Sequence, residues 1–244
     1  MRKHNFLQTI QALIRMHQAG LLGGETMPED ALLGVVPEQE LPDVLTLAMA
    51  LNYQRNSYSL WEAVANAYRD EQTRWVFTPH KAMKSGRAQL AEALLHHRVA
   101  LQPNRHPEIW QRVAAGIANS SSLGDVTGLI ESADSDLAVL KQIMQGTRKA
   151  EFPYLSGPKI FNYWLYVLET YAGVSWKYRE LITIAPDTHI LQATAKLGIC
   201  ASVDRQEVAE AWEAALQGSG IAPIDVHTPL WLWSRAGFPA IEEL

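Results

Sequence analysis

Phe152-Pro153-Tyr154-Leu155-Ser156-Gly157-Pro158-Lys159 is a tight, glycine-containing turn that opens into a helix, and Ile184-Ala185-Pro186-Asp187-Thr188-His189-Ile190 is a second such loop further along. The first helix carries Ile160, Phe161, Tyr163, Trp164, Val167, Leu168 and Tyr171 at helical spacing. The second carries Leu191, Ala193, Thr194 and Leu197 and stops at Gly198. Taken singly, each feature has an ordinary explanation. Gly157-Pro158 is common helix-start chemistry, Asp187 is a good N-cap for free first-turn N–H groups, and Lys159 alone reads as a surface lysine.

Outward from this stretch the pattern stays helical. Phe6, Leu7, Ile10, Leu13 and Ile14 share one face, and a loop rich in Gly, Glu and Pro extends from Gly20 to Glu40. Val44, Leu45, Leu47, Ala48 and Leu51 predict a second helix. Ser59 is the expected cap of a third, with Leu60, Trp61, Val64 and Tyr68 on its buried face. The periodicity predicts further helices near 84–99, 107–118, 134–146, 158–172, 187–198, 203–217 and 227–234. Strand-type alternation is limited to a short piece, Leu181–Ile184. The fold class is therefore all-α, with about ten helices. Residues 1–244 read as a single unit without a sequence-visible boundary.

A chain of 244 residues suffices for one large domain or two small lobes. With 48% hydrophobic and 19% charged residues it can bury a sizeable core, as ordinary soluble globular proteins do. No apolar run approaches the roughly 18 residues of a membrane span. The start, Met1-Arg2-Lys3-His4-Asn5, is basic, but Gln8, Gln11 and Arg15 interrupt the apolar residues after it, so this stretch reads as a surface helix and not a signal peptide. Cys200 is the single cysteine, so a disulfide framework, a four-cysteine cluster and a Cys-rich zinc site are excluded, and the expected compartment is cytoplasmic.

A net charge of −5 argues against a generally basic coat. Cations nevertheless gather in one segment: Arg69, Arg74, Lys81, Lys84, Arg87, Arg98, Arg105 and Arg112, with His80, His96, His97 and His106 among them. This reads either as a phosphate-tracking face or as a solvated helical surface. The histidines give no metal pattern. His96 and His97 are adjacent, so on a helix they diverge, and no neighbouring Cys or carboxylate completes a set.

Together the two loops resemble the helix-hairpin-helix, Gly/Pro-rich loop, Asp (HhH-GPD) superfamily of DNA glycosylases. There a hairpin of the type L-P-G-x-G-x-K precedes a P-x-D-T-H-type loop. The matching residues are Leu155-Ser156-Gly157-Pro158-Lys159 and Ala185-Pro186-Asp187-Thr188-His189, with Lys196-Leu197-Gly198 closing the next helix. Leu155 stands where the family has its first hairpin glycine. The long separation of Lys159 from Asp187 is similar to that of the archaeal-type 8-oxoguanine DNA glycosylases. Leu47-Ala48-Met49-Ala50-Leu51-Asn52-Tyr53-Gln54 and the segment Gly220 to Trp231 also resemble that branch. The likeness covers about Leu47–Tyr68 and Phe152–Trp233, and the basic middle shows little of it.

The resemblance implies a two-lobed helical fold with the active site in the cleft between lobes. It implies Lys159 as the nucleophile that forms a Schiff base and Asp187 as the carboxylate assisting it. Gln54, a buried amide offering donor and acceptor, would read the everted base. Tyr163 and Trp231 would sandwich it, although both read equally as core aromatics. His227 stands where the branch has a base-contacting Asp, which leaves the excised base open. Gly157 and Ser156 would offer backbone N–H groups to a DNA phosphate. No cofactor is expected, and the sequence leaves open whether the hairpin holds a cation. The expected partner is damaged double-stranded DNA, with no membrane, a monomeric state, and a place with the nucleoid. The alternatives are a glycosylase of the same superfamily for another modified base, and a non-catalytic helix-hairpin-helix DNA binder.

Overall fold

The computed structural model describes residues 3–23 and 26–241, so the parts of the sequence expectations that fall on Met1, Arg2, Gly24 and Glu25 lie outside it. Twelve α-helices succeed one another among the described residues. They are α1 (Lys3–Gln18), α2 (Leu41–Met49), α3 (Ser57–Arg69), α4 (Pro79–Lys84), α5 (Arg87–His96) and α6 (Arg105–Ala118). Then come α7 (Val126–Ser132), α8 (Leu137–Lys141), α9 (Pro158–Ala172), α10 (Thr188–Leu197), α11 (Arg205–Leu216) and α12 (His227–Arg235). No strand forms among the described residues; a lone bridge joins Asp136 to Lys177.

Short polar side chains set where these helices begin. Asp125, Asp136, Asp187 and Asp204 each accept first-turn backbone N–H groups of α7, α8, α10 and α11. Asn56, not Ser59, caps α3: its side chain accepts the Ser59 N–H at 3.1 Å, so Ser59 lies inside the first turn. Gly173 and Gly198 end α9 and α10 at φ 65° and 69°, where a side chain would be strained. The expected strand Leu181–Ile184 is a 3₁₀ turn, Arg179–Leu181, running into extended chain, with no partner strand among the described residues. The helix expected near 84–99 is α5, which starts only after Ser85-Gly86, and α4 and α7 are additions to the helices expected.

The chain divides into two compact units. The central one is contiguous, Thr26–Tyr178; the other combines Met1–Glu25 with Arg179–Leu244. In the central unit α2 is buried along nearly its whole length and packs on α9. Trp164 fixes that contact, its indole N–H donating to Thr46 Oγ1 at 2.8 Å. Trp110 of α6 is equally buried and donates to the Val76 carbonyl at 2.9 Å. In the terminal unit α10 and α1 pack on α12, and buried Trp212 of α11 donates to Thr194 Oγ1 at 2.9 Å while Phe6 lies tilted against its ring. Each of these three indoles thus buries a large apolar body with its N–H satisfied. No helix among the described residues is long and apolar enough to cross a membrane.

Candidate functional site

In the central unit the segment from Phe152 to Lys159 is a closed backbone turn. Buried Phe152 anchors it, and Tyr154 adopts a left-handed conformation at φ 63°, which a bulky residue seldom does. The Ser156 N–H donates to the Phe152 carbonyl at 2.9 Å and the Gly157 N–H to the Tyr154 carbonyl at 3.0 Å. This corrects the expectation that Ser156 and Gly157 offer those amides to a DNA phosphate: both are consumed inside the turn. The turn is also close-packed at Gly157, where a Cβ would stand 3.1 Å from the Tyr154 carbonyl oxygen. Gly157 caps α9, Pro158 begins it, and half-buried Lys159 comes next in its first turn.

The strained Tyr154 has a partner that sequence reasoning does not assign. Its ring stacks on Tyr53 with centroids 3.9 Å apart and planes within 1°. The Arg105 guanidinium lies 5.2 Å from the Tyr154 ring and 5.9 Å from Tyr53, and His106 meets Tyr53 edge-on. The stack ties the end of the Leu47–Gln54 segment to the hairpin. Gln54 itself is exposed, at φ 50° in the loop after α2, and so is not the buried amide expected.

Tyr163, one turn beyond Lys159, is half-buried, and its hydroxyl donates to Glu29 Oε1 at 3.0 Å. Glu29 is fully buried on the turn Pro28–Leu32, and burial pushes its carboxyl up to about 7. The same burial, with Glu29 alongside, holds the Tyr163 phenol well above its ordinary range. Tyr171, two turns further along α9, donates to Asp30 Oδ1 at 2.7 Å. By sequence Glu29 and Asp30 belong to a featureless loop; their hydrogen-bond partners Tyr163 and Tyr171 lie more than a hundred residues away.

In the terminal unit Asp187 uses both carboxylate oxygens. Oδ1 accepts the Ile190 N–H at 3.0 Å and caps α10; Oδ2 accepts the Trp231 indole N–H at 3.1 Å. Half-buried Trp231 carries Arg235 over one face, 4.7 Å from the ring, and meets His189 edge-on at 5.5 Å. His189 Nδ1 pairs with Ser234 Oγ at 3.1 Å, and Ser234 donates to Gln192 Oε1. A polar chain thus backs the Asp187–Trp231 pair. His227 is buried at the first position of α12. Asp225, two residues earlier, is bound to Arg179 at 2.6 Å.

The basic segment is partly structural. Arg74 donates to the Tyr68 carbonyl, His106 accepts the Leu101 N–H through Nδ1, and Arg87 and Arg112 flank Glu108 on the surface. Burial beside Arg55 and Arg105 lowers the His106 imidazole, which keeps it a neutral acceptor.

Compared with models of protein families, with characterised proteins and with solved structures, the chain matches none.

Proposed function

We propose that the protein is a DNA glycosylase with abasic-site lyase activity that removes an oxidised purine, 8-oxoguanine, from damaged double-stranded DNA, on a two-lobed helix-hairpin-helix fold. One observation carries the reading: Asp187 and Trp231, singled out for the acid and the base stack and lying 44 residues apart, are hydrogen-bonded to each other at 3.1 Å. The indole and the helix cap fix the carboxylate in one orientation, as electrostatic assistance to a reacting sugar requires. The Lys159 helix, opened by the tight turn 152–157, supports the other half of the chemistry.

In this reading the damaged nucleotide is everted, because a base inside a duplex cannot be attacked. Its base stacks on the face of Trp231 opposite Arg235. The neutral Lys159 Nζ attacks C1′; the C1′–N bond to the base breaks as the C1′–Nζ bond forms, and the base leaves with the bonding electron pair and takes up a proton. Asp187 stays ionised beside the developing positive charge on the sugar. Loss of a proton from Nζ and opening of the sugar ring give the Schiff base. Removal of a C2′ proton then expels the 3′ phosphate and nicks the strand. Lysine is cationic in water, so the half-buried start of α9 must favour the neutral amine at the moment of attack.

Incubation with an 8-oxoguanine duplex and with an abasic-site duplex, each with sodium borohydride, tests this. Covalent trapping on both is expected, and its loss in Lys159→Gln. Trapping on the abasic duplex alone would keep the lyase and overturn the choice of base. No trapping on either would remove Lys159 as nucleophile.

A further inference from the structure

Asp70, His96 and His97 come together on the surface of the central unit, although adjacent histidines on a continuous helix would diverge. The helix is not continuous there. α5 ends at His96, His97 leaves helical geometry at φ −99° and ψ 11°, and Arg98 turns left-handed at φ 62°. Arg55 pins this turn by donating to the carbonyls of Val99 at 2.7 Å and Arg98 at 3.2 Å. The two imidazoles consequently meet edge to face, with centroids 4.6 Å apart.

Both rings face one carboxylate. Asp70 succeeds α3 in extended conformation, and its Oδ1 accepts the Gln72 N–H at 2.9 Å, which orients the group. Oδ2 is left to the histidines, with His97 Nε2 at 2.8 Å and His96 Nε2 at 3.9 Å. The three candidate ligand atoms all lie within 4.8 Å of one another. Around a tetrahedral zinc ion with ligands at about 2.0–2.2 Å, neighbouring ligand atoms stand roughly 3.3–3.5 Å apart. The observed separations straddle that value, so rotations of two side chains suffice to close the site.

We propose that Asp70, His96 and His97 bind a divalent cation of the zinc class through one carboxylate oxygen and two imidazole Nε2 atoms, with water completing the coordination. The donor set suits Zn²⁺, Co²⁺, Ni²⁺ or Cu²⁺ and not Ca²⁺ or Mg²⁺, which require oxygen ligands. The His96 side chain is 62% exposed, so the fourth position opens to solvent and the ion exchanges freely. The bound ion would clip the end of α3 to the end of α5. This inference is independent of the glycosylase reading.

Titration of the tag-free, chelator-stripped full chain with Zn²⁺ near neutral pH tests it. One equivalent is expected by calorimetry, with a rise in melting temperature of about 5–10 °C at roughly a hundredfold excess over Kd. Co²⁺ should give the intense visible absorption of tetrahedral coordination. His96→Ala and His97→Ala should each weaken binding at least about tenfold, the lower bound for disturbing even a supporting group. His96 is exposed, so its removal leaves the fold intact, and His80→Ala should leave binding unchanged. Absence of Zn²⁺ binding by the unmodified chain would overturn the proposal. So would binding that survives His96→Ala and His97→Ala together.

Discussion

Asp187 combines a structural and a proposed chemical role in one carboxylate, and its two oxygens allow the roles to be separated. Oδ1 caps α10 and Oδ2 accepts from Trp231. Asparagine caps helices about as well as aspartate, and its carbonyl oxygen still serves the backbone N–H, so Asp187→Asn should keep stability within about 1 kcal/mol. The charge is lost, and with it the stabilisation of a cationic sugar. Base release should then fall by roughly 10²–10³, the usual cost of removing one preorganised electrostatic group. Trp231→Phe keeps an aromatic face but loses the indole N–H and one ring, leaving the Asp187 charge in place, so it should cost less than Asp187→Asn. Single-turnover base release alongside thermal melting checks both. Unchanged chemistry in Asp187→Asn would leave Asp187 as a helix cap alone. This residue was legible because a cap signal after Pro186 is local; its bond to Trp231, 44 residues on, is not written in any local pattern.

At the scale of elements, the turn Pro28–Leu32 and helix α9 share a buried acid. Glu29 is wholly inside the central unit, its carboxyl is raised from 4.5 to about 7 by burial, and Tyr163 donates to it. Unfolding returns the group to its ordinary value. Below pH 4.5 both states hold the proton and the group has no effect; between 4.5 and 7 the unfolded chain releases it first, and stability falls as pH rises. The accumulated loss above pH 7 is about 3 kcal/mol. Asp43, likewise raised to about 7 by burial, acts in the same direction. Glu29→Gln keeps an acceptor for the Tyr163 hydroxyl and removes the titration. The variant should gain stability over the parent above pH 7 and show a flatter dependence between 4.5 and 7 in urea unfolding. Equal slopes in both proteins would mean that Glu29 stays ionised when folded. The extents of α9 and α10 were legible because caps, periodicity and terminal glycines agree there. α7 was not, being short and interrupted by Gly128, and α3 is capped one turn earlier than Ser59 suggests because Asn56 serves equally well.

For the whole molecule, the sequence marks only one of the two places where the chain passes between its units. The chain passes between the units at Glu25–Thr26, within the Gly-, Glu- and Pro-rich loop, and again at Tyr178–Arg179, a place without the Gly, Pro or Ser richness that marks a linker, and the terminal unit is assembled from both ends. The central unit is uninterrupted and encloses its own core. Trp61, Trp110, Trp164, Leu45, Leu47 and Met49 are all fully buried within Thr26–Tyr178. A segment of about 150 residues buries some 68–70% of the surface its unfolded chain exposes, enough for independent stability. The hairpin turn, the Tyr53–Tyr154 stack, the Glu29–Tyr163 pair and the three proposed metal ligands all draw their contacts from inside it. Expressed alone, 26–178 should therefore give a helical far-ultraviolet spectrum and a single sigmoidal melt, and should retain the pH dependence assigned to Glu29. Under the glycosylase reading it should not release a base, because Asp187 and Trp231 are in the other unit. A fragment that is soluble but lacks a cooperative melt would show that the central core depends on the remainder of the chain. A folded fragment that excised the base would remove Asp187 from the reaction and leave Lys159 acting without it.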